Sequence, residues 1–160
     1  MAQKILGISI STKRIGVALF EGLKLRDWKV STFSAKWSME KLEDMITYVD
    51  DWMVSHGIEV VALKIPDIVP ISQNYIQLIG SLNIYFERKN VKVVCYALAD
   101  LKHHYCPNSI SSKIHLAQCM ASKYPELILA HHKEASNRNK YYDKAFEAIA
   151  AAYLLSSTVQ

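Results

Sequence analysis

Cysteine, glycine and proline are all scarce in this chain, with three, five and four in 160 residues, and the scarcity narrows its class. Five glycines cannot supply a collagen repeat, and 51% hydrophobic residues exclude a disordered polar chain. The cysteines, Cys95, Cys106 and Cys119, are odd in number and form no CxxC pair. That argues against a disulfide framework and for reduced thiols. No apolar run approaches the roughly 18 residues that a membrane span needs. The N-terminal "MAQKILGISIS" has no basic stretch leading a long apolar core and no small-residue cleavage site, so it does not read as a signal peptide. The expectation is a soluble, cytoplasmic domain with no membrane partner.

Charge of either sign is not concentrated. The formal net charge is +4 and the isoelectric point about 8.9, a mild bias toward polyanions. The basic residues lie in loose groups at Lys13-Arg14, Arg88-Lys89, Lys102-His103-His104 and Arg138 to Lys140, which by themselves describe a solvated surface. There is no internal repeat, low-complexity segment or dividing linker. The chain is therefore expected to form one domain over residues 1–160, long enough to bury a core without cross-links.

What is present is a definite order of strand and helix patterns. Lys4 to Ser11, Arg14 to Phe20 and Leu23 to Phe33 are β-rich runs separated by breaks short enough for hairpins. Leu42, Met45, Ile46, Val49, Trp52 and Met53 then recur at helical spacing between Ser38, a candidate N-cap with Lys41 at the capping-box position, and Gly57. "EVVALKIP" reads as a buried strand ended by Pro66, Ile71 to Lys89 as a helix, and "VKVVCYA" as another buried strand, with Cys95 an inert core thiol. A short helix from Leu98 to His104, a helix from about Ser111 to Lys123 and an alanine-rich final helix follow. An antiparallel meander running into two β-α units predicts an α/β, ribonuclease H-like, five-stranded mixed sheet. Three antiparallel strands precede two parallel ones, with helices on both faces.

With these elements in order, the chain resembles the RuvC-type Holliday-junction resolvases and, more distantly, the YqgF-like branch of the same superfamily. The resemblance covers nearly the whole length. It is carried by "ILGISISTKRIGVALFEG", "EVVALKIP", "VKVVCYALADLK", "SISSKIHLAQCM" and "DKAFEAIAAAYLL". It implies an Asp at the end of the first strand, a Glu at the end of the fourth, and two acids one turn apart at the start of the last helix. Such carboxylates hold two divalent cations for phosphodiester cleavage, and Mg²⁺ requires hard anionic oxygens.

Carried onto this sequence, the first Asp falls on Ser9 and the Glu on Lys64. The helical pair falls on Glu147 and Lys144, with Asp143 one residue away; which of Lys144 and Asp143 holds the aligned position is open, because one residue turns a helix by about 100°. The resemblance thus implies a degenerate active site, a pseudoenzyme with Ser9 and Lys64 at lost ligand positions and no cofactor. The function expected is binding of branched or duplex DNA, in a recombination and repair setting. The enzymatic alternative is a working nuclease in which Asp67, Asp143 and Glu147 hold Mg or Mn, Asp143 and Glu147 being the best metal candidates. A further alternative is a protein-interaction module with no nucleic-acid role. Lys13, Arg14, Lys102, Lys113, Arg138 and Lys140, with Lys64, fall in loops or element ends near the site edge and are the DNA-contact candidates; Lys113 follows serines that suit a helix cap. The resemblance also implies a homodimer through the helix Ile71 to Lys89.

Other chemistries fit less well. "SISTKRIG" has the hydroxyls of an actin-like phosphate turn but neither its Asp nor its glycine. His103, His104, Cys106, His131 and His132 lack the spacing of a zinc site.

Overall fold

A computed structural model describes residues 3–66, 72–105, 119–127 and 142–158. Strands β1 (Lys4–Ile10), β2 (Arg14–Glu21) and β3 (Lys24–Thr32) form an antiparallel meander. Its second hairpin turns at Gly22, whose φ of 63° lies in the left-handed region that glycine enters without a Cβ penalty. Helix α1 (Met39–His56) starts where the Ser38 hydroxyl accepts the Lys41 N–H at 3.0 Å and stops at Gly57, again left-handed. These are the two boundaries the sequence marks. Strand β4 (Val60–Ile65), helix α2 (Gln73–Arg88), strand β5 (Lys92–Ala97) and helix α3 (Leu98–Tyr105) follow. Residues 119–123 are helical, and α4 (Asp143–Thr158) is the last helix described.

β4 pairs in parallel with both β1 and β5, so the sheet order is β3-β2-β1-β4-β5. Side chains alternate across each strand, and the two faces bury separate cores. Leu6, Ile8 and Ile10 of β1 join Val61 and Leu63 of β4 under α1 and α2, with Met45, Leu78, Leu82 and Phe86. On the other face, Ile5, Ala18, Phe20 and Ala62 pack against α4 through Ala148, Ile149, Ala151 and Ala152. Helices on both faces of a mixed sheet are the arrangement expected from the element order.

One expectation changes. Cys95 is exposed, because β5 is an edge strand and its β-branched composition does not imply cover on both sides. Helix α2 begins after the Ser72 cap, so Ile71, where the pattern started it, lies outside the described residues, as does the part of the Ser111 helix before residue 119. Among the described residues, no helix is long and apolar enough to cross a membrane.

Candidate functional site

Parallel pairing sets Ser9 of β1 opposite Lys64 of β4, and strand alternation turns both toward α4. The antiparallel partner of Ser9 is Gly16 of β2. A Cβ on Gly16 would strike the backbone of Lys144 and Ala145, and one on Gly7 would strike the Ala148 carbonyl and the Ala152 methyl. The two glycines therefore form a flat bed on which the alanine-rich helix lies against the sheet. That close approach lowers Glu147 onto the Ser9–Lys64 pair.

The Ser9 hydroxyl donates to Glu147 Oε1 at 2.7 Å. Lys64 Nζ stands 3.4 Å from Glu147 Oε2, and Lys144 Nζ, one turn before Glu147 on α4, is 3.3 Å from Oε1. The Glu147 side chain is 1% exposed and that of Lys64 7%. A carboxylate this deep is stable as an anion only because cationic and hydroxyl donors replace its water. Tyr75, in the first turn of α2, lies close enough to feel the cluster. Its phenol is pushed up to about 12, by burial first and then by the negative fields of Glu147 and Cys95.

The structure thus brings together Ser9, Lys64 and Glu147, three of the positions onto which the resemblance carries the resolvase acids. Of the two open candidates on α4, it is Lys144 whose side chain reaches Glu147; Asp143 opens the helix, half-buried. Lys64, grouped in the sequence with the DNA-contact lysines, is instead buried against the carboxylate. Lys13 is exposed in the β1–β2 turn and Arg14 half-buried at the start of β2. The hydroxyl of Ser11 in that turn serves the backbone, accepting the Lys13 N–H at 3.3 Å and the Arg14 N–H at 3.1 Å. Lys102 lies on α3 with its side chain outside the described residues, and Asp67, Lys113, Arg138 and Lys140 lie outside them altogether. His103 and His104 are exposed neighbours on α3. Tyr75 was missed as a site residue; the sequence marks it only as an apolar position in the first turn of the helix that the Ser72 cap starts.

The donor set does not fit a divalent cation. Among the described residues a hydroxyl, two ammoniums and one carboxylate meet here, and the carboxylate is already engaged by cations, where Mg²⁺ or Mn²⁺ needs several hard oxygens. Among the described residues there is no group of three or more His, Cys, Asp or Glu side chains placed to hold a metal ion.

No family model and no curated protein matches this sequence, but solved structures do match its fold. Thermus thermophilus RuvC in complex with Holliday junction substrate superposes with a TM-score of 0.70 at 17% identity, over 97% of this chain and 96% of that one. The fold is that of the RuvC resolvases. The Fowlpox virus resolvase, solved with substrate Holliday junction DNA, matches the RuvC-type fold of this chain with a TM-score of 0.61 at 14% identity, over 98% of this chain and 99% of that one. A second Thermus thermophilus RuvC structure gives a TM-score of 0.69 at 16% identity over 98% of this chain.

Proposed function

We propose that this RuvC-type domain binds branched or duplex DNA without cutting it. The observation that carries the reading is the buried Glu147 carboxylate held between Lys64 and Lys144, where two-metal phosphodiester hydrolysis needs a cluster of acids. Ser9 contributes a hydroxyl in place of a charge. DNA as the partner is supported by the fold, since two of the structural neighbours were solved with Holliday junction DNA. It is also supported by the exposed Lys13 at the C-terminal end of β1. Lys13, Arg14, Lys102, Lys113, Arg138 and Lys140 are the proposed phosphate contacts, which would position a duplex without reading its sequence.

A two-fold dimer through α2 belongs to the same reading. Ile76 and Ile84 of α2 are each 51% exposed. Between α1 and α2 lies an open groove of about 720 Å³ lined by Met39, Leu42, Ile46 and Ile84, with Glu43 on one rim and Arg88 and Lys89 on the other. Acid on one rim and base on the other suit an isologous contact, in which each rim meets its opposite in the second copy.

The test is a synthetic four-way junction incubated with the protein, with and without Mg²⁺ or Mn²⁺, and read for both mobility shift and strand cleavage. A shift at low salt without cleavage supports the proposal. Metal-dependent cuts abolished by Glu147→Gln would overturn it in favour of a nuclease using Asp67, Asp143 and Glu147. No shift at low salt would remove DNA as the partner and leave the protein-interaction alternative.

A further inference from the structure

We infer that the Lys64 ammonium is a built-in counter-cation, and that the Ser9–Lys64–Glu147 cluster is a latent divalent-cation site kept closed by that side chain. The inference uses the same cluster as the non-cleaving reading but does not depend on DNA binding.

Three features carry it. Ser9 and Lys64 are direct partners on adjacent parallel strands, about 4.8 Å apart, and both face Glu147. Three side chains therefore converge from two strands and a helix on one small volume. Lys64 Nζ stands 3.4 Å from Glu147 Oε2 with its side chain 7% exposed, so a positive charge already lies beside the carboxylate and little solvent separates the two. Finally, α4 cannot lift away to admit a hydrated ion without losing its seat on Gly7 and Gly16. The ammonium is covalently tethered, so no ion concentration titrates it out. A divalent ion at Glu147 would have to displace the Lys64 and Lys144 ammoniums or accept them as neighbours; stranding the buried Lys64 charge opposes the first and like-charge repulsion the second.

The converse follows. Exchanging two side chains on this unchanged backbone, Ser9→Asp with Lys64→Glu, would gather three carboxylates where one now stands. Without metal that triad repels itself and the domain is destabilised; with a divalent cation the repulsion becomes ligation. Binding to the folded state alone then raises stability by mass action.

Full-length wild-type and the double variant are titrated with MnCl₂, reading free Mn²⁺ by electron paramagnetic resonance and the unfolding midpoint by circular dichroism. The wild-type is expected to leave the free Mn²⁺ signal and its midpoint unchanged through the millimolar range. The double variant is expected to start lower and to rise by several degrees as it takes up one Mn²⁺. If the double variant does not fold, Ser9→Asp with Lys64→Gln replaces it, since that pair removes the tethered charge and sets a second carboxylate beside Glu147 with less self-repulsion, and Mn²⁺ uptake above wild-type is expected. Uptake of Mn²⁺ by the wild-type overturns the inference. So does a folded double variant indifferent to Mn²⁺, or, where the double variant does not fold, no gain in Ser9→Asp with Lys64→Gln. A wild-type that ignores Mn²⁺ yet fails to shift a junction would sink the DNA reading and leave this one standing.

Discussion

Lys64 Nζ lies 3.4 Å from Glu147 Oε2, joining the end of β4 to the first turns of α4 across the sheet face. The pair ties together elements more than eighty positions apart in the chain, and both side chains are almost wholly buried. Buried pairs of this kind stabilise little against a well-packed apolar replacement, but removing one partner alone strands the other charge.

Glu147→Gln should therefore cost about 3–5 kcal/mol, since it leaves two ammoniums without their carboxylate. Lys64→Met should cost less, because Ser9 and Lys144 still hold Glu147. The combined Lys64→Met/Glu147→Gln change should be milder than the sum of its parts. Urea unfolding of the four proteins closes the cycle; additive losses would show that the two side chains do not interact.

Gly16→Ala should be destabilising by about 1–3 kcal/mol, the range for overpacking a tight contact, since its methyl would meet the Lys144 backbone. The same change at Gly80, where an added Cβ meets nothing within 4 Å and where helix propensity favours alanine, should be neutral or stabilising. Thermal unfolding of the two variants distinguishes a specific seat for α4 from a general preference for glycine.

Most of the fold was legible in the sequence, because apolar periodicity and the Ser38 and Gly57 boundaries are local properties. The cluster was legible through the resemblance, which carries three of the resolvase acid positions onto Ser9, Lys64 and Glu147; strand and helix order alone does not single them out. What stayed hidden depends on tertiary contact. Helix rotation decided that Lys144 reaches Glu147, and sheet order put Cys95 on an exposed edge despite its β-branched neighbours. Tyr75 reads as one more apolar position on α2 until the fold sets it near Glu147. Gly7 and Gly16 look like ordinary strand glycines until α4 is laid across them.

Alkaline pH should weaken the fold through its tyrosines. The Tyr75 phenol, raised to about 12, holds its proton in the folded state where an unfolded phenol near 10 has lost it. Its contribution is complete below pH 10 and declines as pH rises from 10 to 12. Tyr85 and Tyr124 are raised as well, both chiefly by burial, and Tyr85 also by its hydrogen bond to Asp50. Tyr75→Phe should flatten the fall in unfolding free energy between pH 10 and 12; an unchanged slope would place the Tyr75 phenol in water.

The proposed dimer surface is open to a direct check. Ile84→Glu sets a charge on the exposed apolar face of α2 and should shift sedimentation-equilibrium mass from dimer to monomer while leaving the unfolding midpoint near that of wild-type. A monomeric wild-type at micromolar concentration would remove the dimer.

The proposed DNA contacts should show in the salt dependence of binding. Lys13→Ala should lower the slope of log affinity against log salt by about 0.9, the value for one phosphate contact on duplex DNA. An unchanged slope would take Lys13 out of the interface.

The central proposal, that a lysine–carboxylate cluster leaves this domain binding a junction without cutting it, is tested most directly on a denaturing gel. An end-labelled four-way junction is incubated with wild-type protein in Mn²⁺, at a protein concentration that fully shifts it on a native gel. Intact full-length strands are the expected result. Symmetric, Mn²⁺-dependent cuts that disappear in Glu147→Gln would contradict the account.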